Sequence, residues 1–318
     1  MSSKILIVGA CGQIGSELTL ALREIHGNDM VIASDIKRPT SPELNSGPFE
    51  ILDATSYSDF ENAVKTHQID KVYMMAAMLS GTAEKFPGKG WDLNMTSLFN
   101  VLNLAKNKLI SKVFWPSSIA VFGPTTPKND TPQRTIMEPT TVYGISKQAG
   151  ERWCAYYNKR YGVDVRSIRY PGLISYKTPP GGGTTDYAIE IFHEALKNSK
   201  YTSFLSKDTA LPMMYMDDAI KATISIMDAP GQDIKVRSSY NLSGVSFTPD
   251  DLSKLVKQQI ENFEIDYEPD FRQDIADSWP SSIDDSEARK DWNWKHNFDL
   301  NMIVKEMLEG VKSLEHVN

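Results

Sequence analysis

The chain has 318 residues, of which 41% are hydrophobic and 24% are charged, and its formal net charge is −7. This composition indicates a globular protein with a large core, and the net acidity argues against nucleic acid or an anionic membrane as the main partner. No apolar stretch approaches the roughly 20 residues of a membrane span. Because the first predicted strand begins at the N-terminus, we expect a cytoplasmic protein without a signal or transit peptide.

The N-terminal part has the pattern of a dinucleotide-binding unit. An apolar, β-branched run at residues 4–8 predicts a buried strand, and apolar residues spaced three to four apart predict a helix at 14–26. Between them lies a turn whose three glycines let the backbone approach a pyrophosphate, which the free N–H groups of the helix N-terminus would bind. The predicted residues of this pyrophosphate site are Gly9, Gly12, Gln13, Ile14 and Gly15.

An acidic residue at the end of the second strand indicates which cofactor is bound. A strand centred on residues 31–34 leads to Asp35, which lies 20 residues after Gly15, where the ribose-binding acid of such units is expected. A carboxylate there accepts a hydrogen bond from the ribose 2′-hydroxyl of NAD and repels the 2′-phosphate of NADP. We therefore predict NAD, although the nearby Arg38 leaves NADP open.

Strands and helices continue to alternate to about residue 172. Alternation at this spacing predicts an α/β fold with a doubly wound, parallel Rossmann sheet. A stretch rich in Pro and Thr at residues 123–141 predicts a loop before the last helix of this part. The further predicted elements are strands centred on 71–75, 112–116 and 165–170, and helices at 57–66, 92–108 and 142–161.

The pattern then changes and predicts a smaller C-terminal α/β lobe. A Pro- and Gly-rich loop at residues 179–185 is followed by predicted helices at 186–197, 217–228 and 299–314. We expect the substrate between the two parts, at the carboxyl edge of the sheet. The predicted division is an NAD-binding domain of residues 1–172 and about 208–243, with a substrate-binding lobe of about 173–207 and 244–318.

A catalytic constellation is predicted from Tyr143, Lys147 and Ser118. Tyr143 and Lys147 are four residues apart on one face of a predicted helix, so the lysine cation would stabilise the phenolate and lower a tyrosine pKa that is ordinarily about 10. Tyr143 would then act as a general base for a substrate alcohol, and Ser118 would hydrogen-bond to the same oxygen. A Tyr-x-x-x-Lys pattern alone is common by chance, and its alternative is a surface pair on an amphipathic helix.

The spacing Gly-x-x-Gly-x-x-Gly, together with the Ser, Tyr and Lys, resembles the extended short-chain dehydrogenase/reductase superfamily. The resemblance implies that Asp53 contacts the adenine, that Asn94 is a structural and proton-relay residue, and that Lys147 also binds the nicotinamide ribose. It implies a cofactor-binding set of Asp53, Ala76, Ala77, Asn94, Tyr143, Lys147, Tyr170, Pro171 and Leu173.

The resemblance also bears on the substrate. Common members of this superfamily act on nucleotide sugars and carry an Arg where this chain has Leu211, so a phosphate clamp is missing here. Residues 114–124, 181–188, 211–219 and 277–280 instead resemble the short-chain type of L-threonine 3-dehydrogenases. That resemblance covers essentially the whole chain and implies NAD-dependent oxidation of the threonine 3-hydroxyl to 2-amino-3-ketobutyrate.

A zwitterionic substrate needs partners for both of its charges. Thr184 and Thr185, at a predicted helix start, offer hydroxyl and N–H groups to a carboxylate, although Thr185 is as readily a plain helix N-cap. Asp186 would pair with the ammonium or simply stabilise the first helical turn. Trp279 would close the pocket or belong to the core. The predicted substrate-binding set is Ser80, Gly81, Ser118, Tyr143, Thr184, Thr185, Asp186 and Trp279.

The resemblance implies a homodimer formed through helices 92–108 and 142–161. The apolar side chains on these helices would form its surface or pack on the sheet, and the sequence leaves both possibilities open. They are Leu98, Val101, Leu102, Leu104 and Trp153.

Cysteine usage predicts neither disulfides nor a metal site. The chain has two cysteines, Cys11 and Cys154, whose spacing matches no disulfide framework or metal motif. We expect Cys11, inside the glycine turn, to be a small packing residue.

Two rival functions remain at this level. A sugar-nucleotide epimerase or dehydratase is disfavoured by Leu211. A regulator that binds NAD without chemistry is disfavoured because the Ser, Tyr and Lys are all present.

Overall fold

The structure is a computed structural model that describes residues 3–178 and 180–315. The strands are β1 (Lys4–Val8), β2 (Val31–Asp35), β3 (Phe49–Ile51), β4 (Ile69–Met74), β5 (Lys112–Phe114), β6 (Ser117–Ser118), β7 (Asp164–Arg166), β8 (Ile168–Tyr170), β9 (Gly172–Ile174), β10 (Lys200–Ser203), β11 (Leu211–Tyr215), β12 (Tyr240–Asn241), β13 (Val245–Phe247) and β14 (Glu264–Tyr267). The helices are α1 (Gln13–His26), α2 (Pro42–Asn45), α3 (Tyr57–His67), α4 (Ser80–Lys85), α5 (Pro87–Lys106), α6 (Val142–Tyr161), α7 (Tyr187–Asn198), α8 (Met216–Asp228), α9 (Pro249–Gln259), α10 (Arg272–Ser278), α11 (Ser286–Trp292) and α12 (Leu300–Glu315).

The largest sheet has six strands in the order β3-β2-β1-β4-β5-β7, and every neighbouring pair is parallel. The strand order reverses between β1 and β4, which creates a switch point where a crevice opens outside the carboxyl ends of the strands. Helices α1 and α8 contribute to the core on one face, and α3, α5 and α6 contribute to the core on the other. The predicted doubly wound parallel sheet is confirmed.

Strand β1 shows why both faces are buried. Ile5 and Ile7 face the core beneath α1 and α8, whereas Leu6 and Val8 face the opposite core. Successive side chains of a strand point to opposite faces, so a strand covered on both sides is apolar at every position. This explains the uninterrupted apolar run in the sequence.

The side chains considered for a dimer surface divide into two groups. Leu98, Val101, Leu102 and Leu104 are completely buried in the core between α5 and the sheet. Trp153 on α6 is 39% exposed. The first four therefore pack on the sheet, and Trp153 alone among the five leaves apolar surface accessible.

A third core consists mainly of side chains from the C-terminal elements α7, α9, α12 and β11. Leu211, Met213 and Tyr215 of β11 face this core, whereas Met214 faces the sheet core. Strand β11 thus lies between the two cores, which is why its sequence is apolar throughout. The division into an NAD-binding domain and a substrate lobe stays a prediction.

Several boundaries differ from the sequence prediction. Helix α5 begins at Pro87 rather than at residue 92, because proline is pre-organised for the first helical turn. The strand predicted at 165–170 is two strands, and β8 belongs to a separate three-stranded sheet, β12-β8-β6. Ser80 and Gly81, which lie in none of the predicted elements, begin helix α4. Among the described residues, no helix combines the length and apolarity needed to cross a bilayer.

Candidate active site

The glycine turn between β1 and α1 is closed too tightly for side chains at two positions. Gly9 has a φ of +88°, and a Cβ there would lie 2.5 Å from the amide nitrogen of Ala76. A Cβ on Gly15 would lie 2.1 Å from the Gly9 carbonyl oxygen. Gly12 is exposed, and the nearest atom to a Cβ there would be 3.4 Å away, so the turn is open toward solvent at this point. The backbone is therefore accessible at the turn where we expect a pyrophosphate to bind.

Asp35 is held at the edge of this turn. Its Oδ2 accepts a hydrogen bond from the Cys11 amide at 3.0 Å, and its Oδ1 accepts one from the Ile36 amide at 2.8 Å. The carboxylate is thus fixed before any ribose hydroxyl reaches it, which fits NAD. Arg38, the residue that left NADP open, has its guanidinium 5.8 Å from the ring centroid of Phe49.

Cys11 is a poor nucleophile. Burial, followed by the charge of Asp35, raises the pKa of its thiol to about 11. The thiol is therefore neutral near pH 7, which supports the packing role expected from the sequence.

The predicted adenine and relay residues both make defined contacts. Asp53 Oδ1 accepts hydrogen bonds from the amide and the hydroxyl of Thr55, at 2.8 and 2.7 Å. Asn94 Oδ1 accepts from the Met78 amide at 2.7 Å, and Asn94 Nδ2 donates to the Ser146 hydroxyl at 3.1 Å. Asn94 therefore joins the segment after β4, which carries Ala76 and Ala77, to helix α6.

The N-terminus of α6 is fixed from two sides. Thr141 caps the helix, because its hydroxyl oxygen accepts from the Gly144 amide at 3.1 Å. Glu84 of α4 accepts from the Val142 amide at 2.7 Å through Oε1. Tyr143 lies directly between these anchored residues, so its backbone position is set by both.

The predicted catalytic residues come together. The Lys147 ammonium lies 5.4 Å from the ring centroid of Tyr143 and donates a 2.7 Å hydrogen bond to the carbonyl oxygen of Pro116. Ser118, two residues after Pro116, is close enough to Tyr143 that its hydroxyl acts to lower the pKa of the phenol. Tyr143 and Lys147 are one turn apart on α6, and strand β6 beside this helix carries Ser118. The fold thus brings the three groups together.

The electrostatics of the site differ from the sequence prediction. Burial raises the pKa of Tyr143 to about 12, and the Ser118 hydroxyl acts in the opposite direction. Burial also lowers the pKa of Lys147 to about 7, opposed by Cys154 and Glu151. The predicted lowering of the Tyr143 pKa by Lys147 is therefore wrong for this structure, because desolvation is the largest cause of the shift at both groups.

The segment expected beside the nicotinamide has one residue turned away. The Tyr170 hydroxyl hydrogen-bonds to the Thr223 hydroxyl of α8, and its ring is buried in the core. A contact between Tyr170 and the cofactor would therefore use the backbone and not the side chain. Pro171 is buried, and Leu173 is partly exposed.

The glycine-rich loop before α7 is closed by Asp186. Asp186 Oδ2 accepts from the Gly181 amide at 2.7 Å and from the Gly183 amide at 2.8 Å. A Cβ added to Gly81 would lie 3.9 Å from the Gly182 carbonyl oxygen, so the start of α4 faces this loop. Asp186 thus has a structural task besides any contact with an ammonium group.

The two threonines before α7 have different surroundings. Thr184 is buried, and Thr185 is partly exposed. A Cβ on Gly172 would lie 2.6 Å from Cγ2 of Thr185, so Thr185 packs against β9. The N-cap of α7 is Asp186, and the alternative that Thr185 caps this helix is wrong.

Trp279 belongs to the C-terminal core. Its side chain is buried there, and its carbonyl oxygen accepts from Lys128 Nζ at 3.0 Å. It also lines a cavity of about 430 Å³ with Asp277 and Gln273. Within residues 3–178 and 180–315, no group of three or more His, Cys, Asp or Glu side chains is arranged to hold a metal ion.

Sequence reasoning missed a buried ion pair next to the predicted catalytic residues. Glu151 and Arg169 are 0% and 1% exposed and bind each other through two 2.8 Å hydrogen bonds. The position of Glu151, four residues after Lys147, was an available signal, because it places the carboxylate on the same helix face as the lysine.

Comparisons with known proteins agree with this geometry. Residues 5–243 match the NAD dependent epimerase/dehydratase family. An uncharacterized epimerase/dehydratase of Staphylococcus haemolyticus is 49% identical over 98% of each chain. The holo form of an L-threonine dehydrogenase from Cupriavidus necator is 57% identical, with a TM-score of 0.94 over 97% of this chain and 99% of that one. An L-threonine dehydrogenase from Clostridium difficile is 46% identical, with a TM-score of 0.96 over 98% of each chain.

A more distant structure marks the extent of the shared fold. UDP-glucose 4-epimerase from Thermotoga maritima is 21% identical with a TM-score of 0.84, which shows a common fold alone. The family match confirms the NAD cofactor predicted from the glycine turn and Asp35. The chain therefore belongs to the NAD-dependent epimerase/dehydratase family of the extended short-chain dehydrogenase/reductase superfamily.

Proposed function

We propose that this enzyme oxidises the 3-hydroxyl of L-threonine with NAD and forms 2-amino-3-ketobutyrate. The observation that carries the proposal is the assembly of Ser118, Tyr143 and Lys147 around the start of α6. It is supported by identities of 46–58% with three solved L-threonine dehydrogenases over nearly the whole chain.

The three side chains divide the chemistry between them. Tyr143 as phenolate takes the proton of the substrate hydroxyl, and Ser118 donates a hydrogen bond to the same oxygen as the carbonyl forms. The Lys147 ammonium favours the phenolate and holds the Pro116 carbonyl. Bound NAD would supply the acceptor for the hydride from C3 and a nicotinamide cation that favours the phenolate form of Tyr143.

The proposed cofactor contacts follow from the anchored residues. The glycine turn would hold the pyrophosphate, Asp35 the ribose 2′-hydroxyl and Asp53 the adenine end. Lys147 would reach the nicotinamide ribose, and Asn94 would keep the strand-end segment against α6. These residues fit NAD because their donors and acceptors are already fixed by the fold.

A small zwitterion fits better than a sugar nucleotide. Leu211, at the place of the phosphate-clamping Arg, is completely buried in the C-terminal core. No cation can act on a diphosphate from that position. The proposed carboxylate site is the start of α7, at Thr184 and Thr185, where hydroxyl groups lie near the positive end of the helix dipole. Gly81, at the start of α4, faces the same loop, and Ser80 directly precedes it.

We further propose a homodimer through α5 and α6. Tyr156 and Tyr161 of α6 are 47% and 41% exposed and pack edge-to-face with each other beside Trp153. Such an exposed aromatic patch is typical of an interface. One solved relative, 48% identical, is a monomeric L-threonine 3-dehydrogenase. Analytical ultracentrifugation tests the proposed dimer, and a monomeric mass would contradict it.

A cytoplasmic location is proposed with the function. Cys11 and Cys154 are both free thiols, which is usual in a reducing compartment. Cell fractionation followed by immunoblotting would test it, and enrichment outside the cytoplasm would contradict it.

The test of the function is NADH formation, followed by absorbance. L-threonine should react, whereas L-serine, D-threonine and a UDP-sugar should react far more slowly. Tyr143→Phe should lower kcat by about 10²–10⁴-fold while NAD still binds. Tyr156→Phe is the matched control, since it removes an exposed hydroxyl from the same helix. Turnover of the UDP-sugar would favour the epimerase alternative, and NAD binding without any turnover would favour the regulator.

A further inference from the structure

Consecutive residues of the segment 116–118 contact helix α6. The Pro116 carbonyl oxygen accepts from Lys147 Nζ at 2.7 Å. The Ser117 hydroxyl donates to Glu151 Oε1, also at 2.7 Å. The lysine and the glutamate are four residues apart, so both contacts lie on one face of the helix. The segment is thereby fixed to α6 immediately before the catalytic serine.

Glu151 is itself held rigidly. Its two oxygens accept from Nε and Nη2 of Arg169, both at 2.8 Å. Arg169 Nη1 donates to Asn241 Oδ1 at 2.8 Å and to the Gln133 carbonyl oxygen at 3.2 Å. The pair is fully buried, and bidentate geometry of this kind restricts both side chains to one arrangement.

Chain continuity connects this ion pair to the catalytic hydroxyl. Ser117 and Ser118 are successive residues of β6, so the backbone that carries Ser118 moves with Ser117. The contact of Ser117 with Glu151 therefore holds Ser118 beside α6, the helix that carries Tyr143. The mechanism proposed above assigns no task to Glu151, Arg169 or Ser117.

We propose that Glu151 is a positioning residue: through Ser117 it fixes segment 116–118 against α6, so that Ser118 and Lys147 keep their places beside Tyr143. This inference rests on the proposed function. Arg169 is the counterion that holds Glu151 in its buried position. The contact matters because displacement of a reacting group by about 1 Å costs up to 10²-fold in rate.

The carboxylate has a second effect, on charge. The titratable groups facing Lys147 are Tyr143, Glu151 and Cys154 on α6, with Arg169 across from β8 behind Glu151. A negative Glu151 favours the ammonium form of Lys147. Because the proposed mechanism uses the ammonium form of Lys147, kcat should fall at high pH as this proton is lost. Removing the Glu151 charge is therefore expected to move this alkaline limb of the kcat profile to lower pH.

The first test is Ser117→Ala, which leaves the buried ion pair intact. We expect kcat with L-threonine to fall about tenfold while the dissociation constant of NAD stays within twofold. The matched control is Ser253→Ala, which removes an equally buried serine hydroxyl from α9. A kcat of Ser117→Ala within twofold of wild type, or an equal fall in the control, would overturn the proposal.

Glu151→Gln is the second variant, since it keeps an acceptor for Ser117 but removes the charge. The fall of its kcat at high pH should begin at a lower pH than in wild type. A fall at the same pH would overturn the proposed effect of the Glu151 charge on Lys147. Should the unpaired Arg169 prevent folding, Glu151→Gln combined with Arg169→Met removes both charges.

Crystal structures separate this inference from the proposed function. An inactive wild-type protein would refute the function, yet the position of Ser118 can still be compared between wild type and Ser117→Ala. Displacement of the Ser118 hydroxyl from Tyr143 in the variant supports the positioning role. An unchanged Ser118 overturns it.

Discussion

Replacing Lys147 with methionine is expected to stabilise the folded protein while it removes the activity. The ammonium is 2% exposed, and burial lowers its pKa from 10.5 to about 7. That difference corresponds to about 4–5 kcal/mol of unfavourable burial below pH 7. The lost hydrogen bond to Pro116 offsets about 1.5–3 kcal/mol of this. The expected net gain at pH 6 is about 1–3 kcal/mol, as seen when buried charges are replaced by apolar side chains.

The gain should depend on pH in a defined direction. The folded-state pKa of Lys147 lies below its unfolded value, so the unfolded chain binds more protons between about pH 7 and 10.5. Wild-type stability therefore rises with pH relative to the variant, by up to about 1.4 kcal/mol per pH unit. The advantage of methionine is full below pH 7 and is lost as pH approaches the unfolded pKa.

Urea denaturation at pH 6, 7.5 and 9 measures how the difference in unfolding free energy between wild type and variant changes with pH. Lys159→Met is the control, since Lys159 is exposed on the same helix and its replacement should change stability equally at all three pH values. A difference between wild type and Lys147→Met that stays constant from pH 6 to 9 would refute the argument from burial.

Three further predictions concern the cofactor site and the catalytic helix. Gly15→Ala places a Cβ 2.1 Å from the Gly9 carbonyl, so the turn must open and NAD affinity, measured by fluorescence titration, should fall by more than tenfold; Gly88→Ala, which meets nothing within 4 Å, should leave it unchanged. Thr141→Ala removes the N-cap of α6 and should cost about 1 kcal/mol in the free energy of unfolding by urea, whereas an unchanged value would contradict the capping role. Asp35→Ser removes the charge that repels a 2′-phosphate, so the ratio of kcat/KM for NADP to that for NAD should rise at least tenfold, and an unchanged ratio would show that Asp35 does not select the cofactor.

Local patterns predicted most of the proposed cofactor site and the proposed catalytic residues. The glycine turn, Asp35 and the Tyr-x-x-x-Lys pair are read from short spacings, because a helix and a strand repeat at fixed periods. Helix α6 spans the predicted residues 142–161 without change, since Thr141 caps it and Gly162 ends it in the left-handed region.

Only the tertiary structure decided the surroundings of those residues. The pKa of Tyr143 rises instead of falling, because desolvation depends on all the atoms packed around the phenol and not on the lysine one turn away. Tyr170 turns into the core because Thr223, 53 residues along the chain, offers its hydroxyl. Glu151 meets Arg169 and Ser117 because β6 and β8 lie side by side next to α6. Such contacts join residues that are distant in sequence, so the periodic patterns of helices and strands do not predict them.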